Sequence, residues 1–216
     1  MMNAPIDHNA GRRPPAPVLL LASGSPRRRE LLAQIGVPHA VVVPGIPEQR
    51  LAGEGVEDCV QRLALAKARA GHAVAQARSA EWGHLPVLGA DPAVVLGSEM
   101  LGKPGDRAEA LATLARLSGV THRVLTAVAL VHAGGEAVCL SESRVAFREL
   151  GEPECEAYWD SSEPRDKAGA YAVQGLGAVF IRGLEGSYSG VMGLPLYETA
   201  QLLDAAGVPR WLPTEA

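Results

Sequence analysis

From Val18 onward, short apolar runs of strand length alternate with longer stretches whose apolar residues recur at helical spacing, the order expected of an α/β protein. Val18 to Ala22 reads as a strand, Pro26 to Ile35 as a helix and Val37 to Val43 as a second strand. A long helix follows from Val56 to about Ala77, with Val56, Val60, Leu63, Ala64 and Val74 on one stripe. Val87 to Ala90 and Ala93 to Leu96 read as strand pieces on either side of Asp91-Pro92, and Gly97-Ser98 as a turn before Met100-Leu101. Arg107 to Leu117 is a helix that stops near Gly119.

In the second half, Val124 to Val131 and Ala137 to Phe147 are long strands joined through Gly134-Gly135, the pattern of a hairpin. Glu152 to Trp159 predicts a short helix, and Tyr171 to Val173 and Ala178 to Ile181 predict short strands. Leu194 to Ala206 predicts a closing helix, with Pro195 in its first turn and Gly207 at its end. Parallel pairing early and a hairpin later imply one mixed sheet. Without an internal repeat or a linker, 216 residues fit a single domain over 17–210. A mobile, proline-containing tail of residues 1–16 precedes it, and a short tail of residues 211–216 follows.

Composition narrows the function classes. The formal net charge is −4, so the chain lacks the general positive field that duplex nucleic acid requires, and any anion must be met by a local cluster of bases. No apolar run approaches a membrane span. Cys59, Cys139 and Cys155 are too few and scattered for a disulfide framework or a zinc site, and they read as reduced thiols in a cytoplasmic protein. Gly-x4-Gly-Lys-[Ser/Thr] is absent, which disfavours P-loop enzymes.

Five segments carry candidate chemistry. In Ser23-Gly24-Ser25-Pro26-Arg27-Arg28-Arg29 a strand runs into a small-residue turn and then a helix with Ser25 as N-cap and Pro26 at its first position. Free backbone N–H groups, the positive end of the helix dipole and arginines then converge on one point, which suits phosphate oxygens. An ordinary capped helix with solvated arginines gives the same letters. Three consecutive arginines in a first turn, where the dipole disfavours positive charge, favour a bound anion. Lys67 lies on the apolar stripe of its helix, so it either reaches a polar cleft or snorkels along the core.

Asp91 is the only charge between Pro86 and Ser98. A carboxylate in such a run is costly to bury unless it meets a metal or a base, although Asp-Pro also initiates turns. Lys103 sits in a Gly-Lys-Pro turn shortly after. Glu163 to Gly177 is dense in charge and glycine between apolar segments, the composition of a binding loop or of a solvated connection. Within it, Gln174 offers the paired donor and acceptor that a base edge matches. His122 reads as a residue at a strand start.

Taken in order, Leu21-Ala22-Ser23-Gly24-Ser25-Pro26-Arg27-Arg28, Gly89-Ala90-Asp91, Gly102-Lys103-Pro104, Leu117-Ser118-Gly119 with His122, Asp166-Lys167-Ala168-Gly169-Ala170-Tyr171 and Gly193-Leu194-Pro195 resemble the signatures of the Maf family of nucleotide pyrophosphatases. The match runs from about Val18 to Leu203. The resemblance implies a fold like that of the inosine triphosphate pyrophosphatases: a curved mixed sheet flanked by helices, in two lobes with a central cleft. It also implies hydrolysis of a nucleoside triphosphate between the α- and β-phosphates, aided by Mg²⁺ or Mn²⁺.

By the same resemblance, Asp91 is the proton acceptor for the attacking water and a metal ligand, with Glu48 a second carboxylate near the metal. Arg28, Lys67, Lys103 and Lys167 match the phosphate-binding bases, and Ser23 and Ser25 belong to the phosphate loop. Substrate choice is tied to the positions of Arg27, Pro92 and Gln174. Arginine and glutamine resemble the dTTP and UTP branch, whereas the 7-methyl-GTP branch carries tryptophan and glutamate there. Pro92 stands where the first branch has threonine, and Gly45 and Pro47 stand where many members have aspartates before Glu48. The expected partner is thus a nucleoside triphosphate, with no nucleic acid and no membrane, and with a homodimer as an allowed assembly. The alternative is a nucleotide-binding regulator of septum formation with weak or no turnover.

Overall fold

The structure, a computed structural model, describes residues 16–78 and 82–212. The N-terminal tail expected from the sequence lies outside these residues except for its last position, and so do residues 213–216 of the C-terminal one. Trp211 and Leu212 are tied back, their N–H groups donating to the carbonyls of Ile35 and Gly36 at 3.0 and 3.1 Å.

Seven strands form one mixed sheet, as the sequence pattern implies. The strands are β1 (Leu19–Leu21), β2 (His39–Val41), β3 (Val87–Leu96), β4 (Glu99–Leu101), β5 (Thr121–His132), β6 (Gly135–Phe147) and β7 (Ile181–Glu185). The order is β2-β1-β3-β5-β6-β7, with β4 on the outer edge of β3. β1 pairs in parallel with β2 and β3, and every other pairing is antiparallel. The helices are α1 (Pro26–Gln34), α2 (Val56–Arg78), α3 (Arg107–Leu117), α4 (Glu152–Asp160), α5 (Tyr188–Met192) and α6 (Leu196–Ala205).

Three expectations change. Asp91-Pro92 does not divide two strand pieces, because β3 runs through it for ten residues. Tyr171 to Val173 is not a strand, and residues 176–180 are a 3-10 turn that enters β7. Tyr171 to Val173 are buried without pairing, whereas Leu176 and Val179 are exposed, so a run of three or four apolar residues marks neither a strand nor its burial by itself. Residues 194–195 stay outside α6, whose first turn begins at Leu196 after Pro195.

Proline inside a central strand is normally excluded because it breaks the ladder. Here the N–H groups of Leu20 and Ala22 on β1 donate to the carbonyls of Pro86 and Leu88. Even-numbered residues of β3 therefore direct their backbone polar groups away from β5, and the missing N–H of Pro92 takes nothing from the β3–β5 ladder. On that outer side β1 pairs only with Val87 and Leu88, and β4 only from Val94 onward. Asp91 and Pro92 thus lie on a strand-free stretch of β3 edge.

The odd-numbered side chains of β3 face α2. Ala93 and Val95 pack with Val56, Val60, Ala64 and Ala68, and Asp91 projects from the same face. Gly89 lets helix and strand approach closely: a methyl group at Gly89 would overlap the carbonyl oxygen of Ala64 and come within 2.7 Å of the Ala68 nitrogen. The opposite face, with Leu88 and Ala90, packs on α1 and α6 through Leu31, Leu32, Leu202 and Leu203. A separate core holds α3 and α4 against Val145, Phe147 and Tyr171 at the other end of the sheet. The open edge of β3 lies between these cores.

Candidate active site

The strand-free edge of β3 opens into a cavity of about 590 Å³, within the range of small-molecule sites. Every site residue expected from the sequence lines it: Ser23, Ser25, Arg27 and Arg28 from the start of α1, Glu48 from the loop before α2, Lys67 from α2, Asp91 and Pro92 from β3, Lys103 after β4, and Lys167 and Gln174 from the loop after α4. Five basic and three acidic side chains line the cavity, a local positive excess in a chain of net charge −4. That is the local cluster of bases that an anionic ligand requires.

Two adjacent arginines take different environments because α1 rotates each residue by about 100° relative to the last. Arg28 is buried, donating from Nε to the carbonyl of Gly193 at 2.8 Å and from Nη1 to Ser23 Oγ at 2.8 Å. Burial lowers its pKa to about 10, against the attraction of Asp91, and it stays charged at neutral pH. Arg27 is half-buried and faces Asp166 across the cavity at 3.9 Å. Ser25 is the N-cap residue by position, but its side chain makes no capping bond. Ser23 Oγ instead accepts from the Ser25 N–H at 3.2 Å and from Arg28, so Ser23 organises the loop.

Lys67 reaches the cavity, which decides between the two readings of its place on the apolar stripe. Its Nζ donates to Asp91 Oδ1 at 2.6 Å and lies 3.0 Å from Glu48 Oε1. Burial raises the Asp91 pKa above its ordinary value, opposed first by Lys67 and then by Arg28. A carboxylate so placed is a better proton acceptor than one in water. Glu48 is more than half exposed and closes the arrangement from the solvent side.

Lys103 is exposed at the rim, and its loop is joined to the one that carries Lys167 and Gln174 by the Gly169 N–H, which donates to the Gly102 carbonyl at 3.0 Å. Lys167 donates to the Glu163 carbonyl at 3.3 Å and pairs with Asp166. Gln174 is exposed on the cavity wall. His122 is no part of the cavity: it is buried on β5 beneath it, 2.9 Å from the Tyr171 hydroxyl. Two groups went unassigned from the sequence. Asp166 pairs with two of the bases, and the Gly193 carbonyl holds Arg28; the first falls in a segment marked by its composition and the second in one marked only by the family resemblance, and a carbonyl's direction leaves no trace in a sequence.

Among the described residues no group of three or more His, Cys, Asp and Glu converges as a metal site. Glu48 and Asp91 do converge on one cation, the Lys67 ammonium. Two carboxylates of this kind fit a hard divalent ion that takes its remaining ligands from substrate phosphates and water, the habit of Mg²⁺. Among the described residues, no helix is long and apolar enough to cross a membrane.

The sequence also compares with known proteins. It is 57% identical over 188 residues to a dTTP/UTP pyrophosphatase of Alkalilimnicola ehrlichii, covering 87% of this chain and 92% of that one. It is 50% identical over 212 residues to a protein of the same name in Saccharophagus degradans, covering 97% and 98% of the two chains. A third, from Hahella chejuensis, is 50% identical over 206 residues. The family model described as Maf-like protein matches residues 18–206, nearly the whole described domain, and the chain belongs to the Maf family.

Proposed function

We propose that this chain is a nucleoside triphosphate pyrophosphatase that hydrolyses dTTP and UTP, and related modified pyrimidine nucleotides, to the monophosphate and pyrophosphate in the cytoplasm. The observation that carries the reading is Asp91: a buried carboxylate of raised pKa at the open edge of β3, flanked by Lys67 and Arg28 in a basic cavity. The names of its relatives support the substrate class. They are enzyme names, and nothing in the site favours the alternative of a regulator without turnover. Pro92 leaves the β3–β5 ladder intact and Asp91 ion-paired, so it gives no structural reason for lost activity.

In this reading Asp91 takes a proton from a water molecule as its oxygen bonds to phosphorus, and the bridging oxygen leaves with the electron pair as part of pyrophosphate. Lys67 holds the carboxylate ionised and in place. Arg28, fixed by Ser23 and Gly193, presents a guanidinium that needs no reorganisation as charge builds on the phosphates, while Lys103 and Lys167 supply further charge at the rim. Glu48 and Asp91 would hold a divalent ion, Mg²⁺ or Mn²⁺, which when bound neutralises phosphate charge. Arg27 and Gln174, which line the same cavity, read the base.

The test is pyrophosphate release by the purified chain with Mn²⁺ or Mg²⁺. Release from dTTP and UTP is expected to exceed that from dCTP, GTP and 7-methyl-GTP. Equal rates on all five overturn the substrate assignment, and no release from any of them overturns the activity.

A further inference from the structure

Gln174 lies in a segment without a strand or helix of its own, between the 3-10 turns at 168–170 and 176–180. A side chain that reads a base needs a fixed backbone, and here two side chains outside the cavity supply it. At one end, the Ala172 N–H donates to the Tyr158 hydroxyl oxygen at 3.1 Å. At the other, the N–H groups of Leu176 and Gly177 donate to the Glu163 carboxylate oxygens at 2.9 and 3.0 Å. Tyr158 closes the circuit by donating its hydroxyl proton to Glu163 Oε1 at 2.7 Å.

The brace is tightly built. A Cβ at Gly175 would overlap the Glu163 carboxylate, so any other residue there would displace the carboxylate from this place. The Tyr158 ring packs edge-on against Phe180, with centroids 4.9 Å apart. Burial raises the Glu163 pKa, but the backbone donors and Tyr158 more than offset this, and the carboxyl sits below its ordinary value. An ionised carboxylate accepts on both oxygens, as three converging donors require. Neither Glu163 nor Tyr158 lines the cavity, so contact with substrate does not explain the arrangement.

We propose that Glu163, together with Tyr158, is a positioning residue that sets base discrimination by clamping both ends of the Gln174 segment. The proposal rests on the reading of the chain as a pyrimidine nucleotide pyrophosphatase. Glu163→Gln keeps the shape but turns an NH₂ group towards one of the three donors, leaving that bond unmade. Tyr158→Phe removes the acceptor of Ala172 and one donor to Glu163.

The experiment compares the full-length wild-type chain with Glu163→Gln and Tyr158→Phe by steady-state kinetics on UTP and CTP, by inhibition with inorganic pyrophosphate, and by amide hydrogen exchange. In Glu163→Gln the ratio of kcat/KM for UTP over CTP is expected to fall about tenfold, mainly through a higher KM for UTP. Pyrophosphate inhibition, which reads the phosphate end, should stay within about twofold, and exchange should quicken at residues 172–177. A ratio that holds while both nucleotides lose activity together, or unchanged exchange at these residues, overturns the brace. Should Glu163→Gln fail to fold, Tyr158→Phe carries the same test, because it keeps the carboxylate and its two backbone bonds. A wild-type enzyme without preference for UTP overturns the substrate reading instead, and exchange in the variants still decides the brace.

Discussion

Lys67 and Asp91 form an ion pair of 2.6 Å whose side chains are only 9% and 7% exposed. Burying two charges costs several kcal/mol even when they are paired. The Asp91 pKa, raised by burial in spite of Lys67, has the sign of a site where the ionised form is held at a cost to stability.

That cost gives Asp91→Asn two expected outcomes. A folded-state pKa above the ordinary 3.8 means that the proton stabilises the fold. This stabilisation is fully present below 3.8 and is lost as pH rises through the higher folded value, so at neutral pH the ionised carboxylate destabilises. The neutral amide should therefore melt no lower than wild type at neutral pH, while turnover falls by about 10²- to 10⁴-fold. Full activity in the variant removes Asp91 as the base. In wild type the acid limb of the rate profile should lie above the ordinary carboxylate range.

Gly89→Ala tests whether the closeness of α2 and β3 creates the site. The added methyl overlaps the Ala64 carbonyl, and separating the elements moves Lys67 away from Asp91. A loss of about 1–3 kcal/mol in denaturant unfolding is expected, as for an overpacked core. A kcat deficit larger than that of an equally destabilised variant elsewhere in the core should accompany it.

Arg28→Lys keeps the charge but not the geometry. One ammonium cannot span the Gly193 carbonyl and Ser23 Oγ as the guanidinium does at 2.8 Å each. A fall in kcat/KM of about ten- to a hundredfold is expected, with nucleotide affinity measured calorimetrically falling in parallel. Wild-type affinity in this variant would mean that the fork geometry is dispensable.

Metal binding should depend on nucleotide, because Glu48 and Asp91 are the only two carboxylates among the described residues that meet Lys67. Paramagnetic resonance of Mn²⁺ is expected to show weak binding to the chain alone and tight binding with a non-hydrolysable UTP analogue present. Glu48→Gln should weaken the second. Tight Mn²⁺ binding without nucleotide contradicts a site completed by phosphates.

His122 gives the fold its own pH dependence. Burial lowers its pKa from 6.5 to about 4, so the unfolded chain binds the proton more readily. The stability this contributes is complete above 6.5 and is lost as pH falls through the folded value near 4, about 3 kcal/mol in all. Melting temperature should decline across that window, and His122→Gln should flatten the decline.

The α/β class, the mixed sheet and its long strands and helices were legible in the chain, whereas α5, the 3-10 turns and the place of Asp166 in the cavity were not. Periodicity marks any element with one buried face, and a charge set among apolar residues, as Asp91 is, has few roles. What remained open was open for local reasons. Lys67 on an apolar stripe is either a snorkelling stem or a cleft residue, and only the approach of α2 to β3 over Gly89 makes it the latter. Asp91-Pro92 looks like a turn in one dimension. It stands inside a strand because β1 ends and β4 begins on either side of it, so no partner needs the missing N–H. The sequence by itself determined most of the side chains the site contains, since side-chain chemistry is written residue by residue. Tertiary structure alone decided how they are arranged, because distance, burial and the direction of a backbone N–H depend on what packs alongside.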